Sequence, residues 1–426
     1  MPLETNIATL MQERLPPPLL AALRAAGEVG EPHGFRVFLV GGMVRDLLAE
    51  RPPGDPDLMV QGPTLSMNAA AAFAVVLASA LDGSIGRPSL FGTIKLEVDD
   101  LAVDVATART ETYAHPGALP TVSPAPVEAD LARRDFTVNA IAVDLAPARF
   151  GRTLDPHGGF GDLRRGALAV LHDGSFADDP TRAFRAARYE ARLGLRMTPA
   201  TEAALRRDIG HVDALSGDRV RHEMERVFAE REPETALARA DELGLLEAAM
   251  PGLSWSAALS DAAPAVREAE PSLRTAGPTG CLALLASPLS HDDAEQLIER
   301  LNAPRPWAKV IEDTALVWEQ LPYIAPAGVA PSVVYDMLEG ASPEAVLAWA
   351  ALSKGAVAAR LRDYYDNLRH VQPFLGGDDL LSLGVPQGPL VGELLRELLN
   401  ARLDGLAATR EDEEALVLRR LSSRVE

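Results

Sequence analysis

The chain has 426 residues, a net charge of −20, 47% apolar and 24% charged residues, and one cysteine. That length allows two or three domains with cores of their own, and the composition excludes a fibrous or low-complexity chain. No apolar run approaches a membrane span, the N-terminus lacks the apolar stretch of a signal peptide, and Cys281 has no partner for an internal disulfide, so a cytoplasmic protein is expected.

The acid excess argues against a diffuse basic surface for nucleic acid, but it is uneven. Residues 1–226 carry 24 Lys and Arg against 30 Asp and Glu, whereas residues 227–426 carry 17 against 31. Lys95, Lys309 and Lys354 are the only lysines, so nearly every cation is an arginine, whose planar fork suits phosphates and base edges. Basic surface is therefore expected to be local.

In chain order, Phe35–Val40 is apolar and β-prone and runs into Gly41-Gly42, with a helical stretch behind it through Leu48. Gly54-Asp55-Pro56-Asp57-Leu58 follows, and the alternation of Asp55 and Asp57 predicts two carboxylates leaving one strand on the same face. Such a pair chelates a hard divalent cation such as Mg2+, and paired glycines let backbone approach a triphosphate. Gly-Asp-Pro-Asp also fits an ordinary turn. A third acid, Asp104, interrupts the apolar run Leu101–Val105, where a buried carboxylate needs a cation and an edge strand would leave it in solvent.

Asp130-Leu-Ala-Arg133-Arg134-Asp135-Phe-Thr-Val-Asn139 packs acids, bases and an amide beside apolar residues. Its arginines fit either ion pairs with Asp130 and Asp135 or bidentate contacts to phosphate and ribose. Leu154–Leu163 holds Gly158, Gly159 and Gly161 and reads as a plain β-turn closing the first part of the chain. Next come Asp178 and Asp179, then Pro180, which suit the start of a helix, and Arg182, Arg185, Arg188 and Arg192 at spacings of three and four, a stripe on one helix face. Asp179 and Arg182 would set an acceptor beside a forked donor. That pattern matches the edge of cytosine or adenine, and uracil and guanine present the reverse. From about Asp179 onward the periodicity is helical, as in Glu295–Leu301 and Gly392–Leu399, with proline-rich breaks expected near Pro251, Pro264 to Pro278, Pro304 to Pro306 and Pro322 to Pro331.

Taken together, Gly-Gly-x-Val-Arg-Asp, Asp-x-Asp, Arg-Arg-Asp-Phe-Thr-x-Asn-Ala, Asp-Asp-Pro-x-Arg-x-x-Arg and Asp218-Arg-Val-Arg-His-Glu-Met224 resemble the class II tRNA nucleotidyltransferases, or CCA-adding enzymes, and the bacterial poly(A) polymerases that share their head. The resemblance covers roughly residues 30–250, and Leu383–Gly392 looks less specifically like the family's C-terminal part. It implies an α+β fold: a nucleotidyltransferase head with a mixed β-sheet and helices, of the polymerase β-like superfamily, followed by an all-α neck, body and tail. The expected divisions are 1–165 (head), 166–250 (neck) and 251–426 (body and tail, carrying tRNA contacts).

By the same resemblance Asp55 and Asp57 hold Mg2+; the strand pattern adds Asp104 as a third ligand or a base. Gly41, Gly42 and Arg45 face the triphosphate, and Arg133, Arg134, Asp135 and Asn139 contact the sugar and phosphates. Asp179, Arg182 and Arg185 are the template that selects CTP and ATP, and Asp178 and Arg188 are counted with the nucleotide-binding residues. The family's template usually begins with glutamate, where this chain has the shorter Asp178. The segment Arg109–Pro120 sits where the family has a flexible loop that helps exchange C for A specificity. The implied reaction is template-independent addition of C and/or A to the tRNA 3′ acceptor end from CTP and ATP. Rival readings are a poly(A) polymerase on general RNA 3′ ends and a non-catalytic nucleotide- or RNA-binding module. No obligate protein partner is expected, and eight scattered histidines do not suggest an added metal phosphohydrolase domain.

Overall fold

Strand β1 (Arg36–Val40) buries its last four residues, and the chain then turns at Gly41 into the helix Gly42–Leu48. It returns as β2 (Asp57–Gln61), and β3 (Ser84–Ile85), β4 (Ile94–Val98) and β5 (Leu101–Thr107) follow the helix Ala69–Leu81. A hairpin of β6 (Arg109–Thr112) and β7 (Thr121–Pro124) leads to the helix Val127–Ala132, then to β8 (Ala142–Asp144) and β9 (Thr153–Leu154). Seven strands make one mixed sheet in the order β3-β4-β5-β2-β1-β8-β9. The computed structural model describes residues 5–89, 92–269 and 279–422.

Two-residue alternation gives the sheet two different faces. Val37, Leu39, Leu58, Val60, Val103 and Val105 point to one side, where they form a core with Leu19, Leu23 and Ala26 of the helix Pro17–Gly30 and Phe73 and Leu77 of Ala69–Leu81. Phe38, Val40 and Met59 point to the other and pack with Val127 and Leu131. Asp57 is two residues from Met59, and Asp104 lies between the buried Val103 and Val105, so both carboxylates stand on the second face.

The strand carrying Asp57 begins at Asp57, and Asp55 lies just before it rather than on it. The reason is Pro56, which has no N–H for a ladder and contributes only its carbonyl, accepting the Asp104 N–H at 3.1 Å. The expected β-turn at Leu154–Leu163 is also different in the structure. Gly158 adopts φ +73° and starts the helix Gly159–Arg165, with the Asp155 carboxylate accepting the Gly159 and Phe160 N–H groups at 2.8 and 3.0 Å. Gly159 packs so closely on the short helical turn Thr137–Asn139 that a Cβ there would sit 2.0 Å from the Thr137 carbonyl oxygen. Gly159→Ala is therefore expected to destabilise the first unit by about 3 kcal/mol, read as a lowered denaturant midpoint at unchanged slope; a midpoint equal to wild type would contradict this packing.

The chain divides into two compact units, Met1–Arg219 with Glu242–Ala248 and Val220–Asp241 with Ala249–Glu426. In the first, past the sheet, two-residue strands β10 (Ala167–Leu168) and β11 (Arg196–Met197) flank the helix Thr181–Leu193. In the second, every regular element among the described residues is a helix, including His291–Arg300, Arg305–Ile324, Pro343–Leu352 and Pro389–Leu403. Pro251 and Pro331 stand at helix boundaries and Pro304 caps Arg305–Ile324, as the sequence suggests. Pro264 does not break its helix, whereas the break expected from Pro322 to Pro331 is present between Ile324 and Pro331. Pro264 lies inside Ala257–Ala269, where buried Leu259, Ala262, Ala263 and Val266 keep one helix intact despite a lost hydrogen bond, and Pro322 lies in the last turn of Arg305–Ile324. The remainder of the break expected up to Pro278 falls on 270–278, outside the described residues.

Candidate active site

A cleft of about 430 Å³ opens over the second face of the sheet. Its floor is Asp57 and Asp104, which are direct register partners on the parallel strands β2 and β5 and so present neighbouring carboxylates. Gly41 closes the floor at φ +75°, and a Cβ there would meet the Asp57 Oδ2 at 3.0 Å, so the turn and the carboxylate are in close contact. Partial removal from water, reinforced by the charges of Asp104 and Asp55 and opposed by Arg134, pushes the Asp57 carboxyl up to about 6.

The same cleft is lined by arginines held by acid. Asp130 is buried on the helix Val127–Ala132, and its two oxygens take both neighbouring guanidiniums, Arg133 Nη2 at 2.7 Å and Arg134 Nη2 at 3.0 Å, together with the Arg109 N–H at 3.1 Å. Burial alone would raise the Asp130 carboxyl, but the Arg134 and Arg133 charges and hydrogen bonds hold it below the usual carboxylate range. Glu111 on β6 accepts from Arg133 Nη1 at 2.7 Å, from Arg109 Nη2 at 3.1 Å and from the Tyr113 hydroxyl at 2.9 Å. Arg182 is 5% exposed and reaches Ser175 Oγ at 2.6 Å and the Arg133 carbonyl at 2.7 Å.

Asp135 joins this lining, accepting from Arg185 Nε at 2.8 Å, Asn139 Nδ2 at 3.0 Å and the Phe136 N–H at 2.8 Å. Burial opposes ionisation, yet the Arg185 charge and these hydrogen bonds bring the carboxyl down to about 2. Its folded value is depressed, so the stability it contributes is present above the unfolded carboxylate value near 4 and is lost as pH falls toward 2. Asp135→Asn is expected to lose about 2 kcal/mol at neutral pH and to flatten the acid limb of stability between pH 4 and 2; parallel acid limbs in the two proteins would contradict this.

Of the residues singled out in the sequence, Gly41, Gly42, Asp57, Asp104, Arg133, Arg134, Asp135, Asn139, Asp179, Arg182 and Arg185 line this one cleft. Four do not. Asp55 is exposed before β2, near enough for its charge to act on Asp57. Arg45 is 3% exposed and pairs with Asp46 at 2.8 Å while donating to Asn139 Oδ1 at 2.8 Å. Asp178 lies 3.6 Å from His172 in a side pocket. Arg188 is buried with its guanidinium 4.9 Å from the centre of the Tyr189 ring, so the arginine stripe is a solvated face only at its end, where Arg192 is exposed. Glu111, Tyr113, Arg109 and Tyr189 line the cleft without having been singled out as site residues. Arg109 and Glu111, two apart on β6, carry a same-face charge pair that could have been found.

Residues 37–169 match the family described as "Poly A polymerase head domain", and residues 194–256 match "Probable RNA and SrmB- binding site of polymerase A". An A-adding tRNA nucleotidyltransferase of Halalkalibacterium halodurans is 30% identical over 96% of this chain and 94% of its own length. The chain belongs to the CCA-adding enzyme and poly(A) polymerase family. An A-adding family member from Geobacter sulfurreducens is 35% identical over 97% of this chain, which spans about half of that relative (48%). A CC-adding member from Deinococcus radiodurans is 32% identical over 89% of this chain and 88% of the relative. The solved apo form II of a CCA-adding enzyme superposes with a TM-score of 0.86 at 28% identity, covering 99% of this chain and 100% of that one. Members of the family are nucleotidyltransferases and generally depend on metal.

The donor set here fits a hard cation incompletely. Asp57 and Asp104 are adjacent oxygen donors whose mutual repulsion a cation would relieve, but among the described residues no group of three or more His, Cys, Asp and Glu converges as a ready-made ligand set. Remaining ligands would come from water or phosphate oxygens, as is common for Mg2+. No helix of the described residues is long and apolar enough to cross a membrane.

Proposed function

We propose that this protein adds C and/or A to tRNA 3′ ends from CTP and ATP, in the cytoplasm, releasing pyrophosphate. The observation that supports this reading best is the pairing of Asp57 with Asp104 on the floor of a cleft that Arg133, Arg134, Arg182 and Arg185 also line. Carboxylates sharing a cleft with fixed arginines suit a triphosphate: Arg133 and Arg134 bind its oxygens, and Asp57 with Asp104 and the nearby Asp55 would hold Mg2+. A cation bound there supplies charge stabilisation at the attacked phosphorus and the leaving group. Arg133 and Arg134 hold the phosphate chain at a set distance from the carboxylates, so that the α-phosphorus stands before the incoming 3′-hydroxyl. Asp179 and Arg182 read the base edge, taking an exocyclic amine and offering a donor to the neighbouring ring nitrogen. Residues 166–250 act as the neck that carries this selection, and 251–426 as the body and tail that hold the tRNA by shape and phosphate contacts.

The test is extension of one tRNA prepared in three forms, ending at the discriminator base, at the first C and at both Cs, with CTP, ATP and Mg2+. Three additions to the shortest form identify a CCA-adding enzyme, a halt after two a CC-adding one, and extension of the form with both Cs alone an A-adding one. A long poly(A) ladder on arbitrary RNA with ATP alone identifies a poly(A) polymerase instead, and no extension of any primer overturns catalysis.

A further inference from the structure

Arg219, at the start of the helix Gly217–Phe228, spans two groups of the first unit. Its Nη2 donates to Asp179 Oδ1 at 2.7 Å, and its Nη1 donates to the Gly117 carbonyl at 2.8 Å at the tip of the β6–β7 hairpin. The tip is closely seated: Gly117 has φ +76°, and a Cβ there would lie 2.9 Å from the Ala214 carbonyl oxygen. The same Oδ1 of Asp179 also accepts the Thr181 N–H at 3.1 Å and the Thr181 hydroxyl at 2.7 Å. Three donors therefore converge on one carboxylate oxygen, and Oδ2 takes none of them.

We propose that Arg219 is a positioning residue for base selection, which locks the Asp179 carboxylate so that Oδ2 alone serves as acceptor at a fixed offset from Arg182. This rests on the reading of Asp179 and Arg182 given above. The discrimination at stake is one of position. Cytosine and adenine present an amine beside a ring acceptor, and uracil and guanine present a ring N–H beside a carbonyl. A carboxylate can accept from either kind of N–H, so an Asp179 free to rotate or slide along the base edge would also serve the wrong bases. Arg182 is already held by Ser175 and the Arg133 carbonyl. Fixing Asp179 completes a rigid pair, and charge-assisted bonds to arginine hold a carboxylate more firmly than the hydroxyl and amide donors of Thr181.

The test uses the full chain with two substitutions, Arg219→Gln and Thr181→Val, each removing one donor from Oδ1. Affinities for CTP, ATP, UTP and GTP with Mg2+ are measured by competition, and incorporation of each into tRNA is measured alongside melting temperature. Arg219→Gln is expected to narrow the preference for the accepted nucleotides over UTP and GTP at least about tenfold, with Thr181→Val moving the same ratio less. Equal loss for all four nucleotides, or an unchanged ratio in both variants, would overturn the proposal, as would a wild type with no base preference. A wild type that binds selectively but extends no tRNA would refute the proposed function while leaving the binding ratio to decide the role of Arg219.

Discussion

Replacing Asp57 with asparagine or alanine should lower nucleotide incorporation by about 10³-fold or more while leaving the fold at least as stable as wild type. The two expectations have one cause. Asp57 is held beside Asp104 and near Asp55, and loss of hydration and that repulsion raise its carboxyl to about 6. A carboxyl raised in the folded state destabilises the fold when ionised, fully above pH 6 and less as pH falls from 6 toward 4. Asp57→Asn removes that cost, so in chelator at pH 8 the variant should melt at the same temperature as wild type or higher. Added Mg2+ should raise the wild-type midpoint and leave the variant unmoved. Retained incorporation would exclude Asp57 from catalysis, and a large fall in melting temperature would mean that the carboxylate has a structural role.

Asp130→Ala should damage both stability and activity. Asp130 is 1% exposed and satisfies two guanidiniums and a backbone N–H at once. Removing it leaves Arg133 and Arg134 without their shared counter-charge and the Arg109 N–H without its acceptor. Breaking a buried pair in this way costs about 3 kcal/mol, at the low end of the range because both arginines keep some solvent. Denaturant titration should show that loss, and steady-state kinetics should show a raised KM for the nucleotide, since the wall arginines lose their bearing. A stability change below 1 kcal/mol with an unchanged KM would show that Glu111 alone suffices to hold Arg133.

Much of this site was legible because it lies on short, strongly patterned segments. Phe35–Val40 followed by two glycines could hardly be other than a buried strand ending in a turn, and the aspartate inside Leu101–Val105 does stand beside Asp57. Asp55 falls just outside the strand because alternation takes no account of Pro56, which has no N–H to join the ladder, and the ladder starts at Asp57. Gly159 looked like a turn glycine, but what fixes it is the Thr137 carbonyl, more than twenty residues away in sequence and close only in the fold. Glu111 was overlooked for a similar reason: its partners Arg133 and Tyr113 come from a helix end and a hairpin that meet through tertiary packing. Pro264 shows the opposite bias, since local backbone preference was outweighed by a buried helix face.

The arginines of the cleft are anchored by the protein itself, Arg133 and Arg134 by Asp130, Arg185 by Asp135, and Arg182 by Ser175 and a carbonyl. An unrestrained arginine carries about 2 kcal/mol of rotamer entropy that a ligand must overcome. Here that ordering has already occurred on folding, so a triphosphate meets a surface that need not rearrange to receive it. Association of a nucleotide should accordingly show a small entropic penalty.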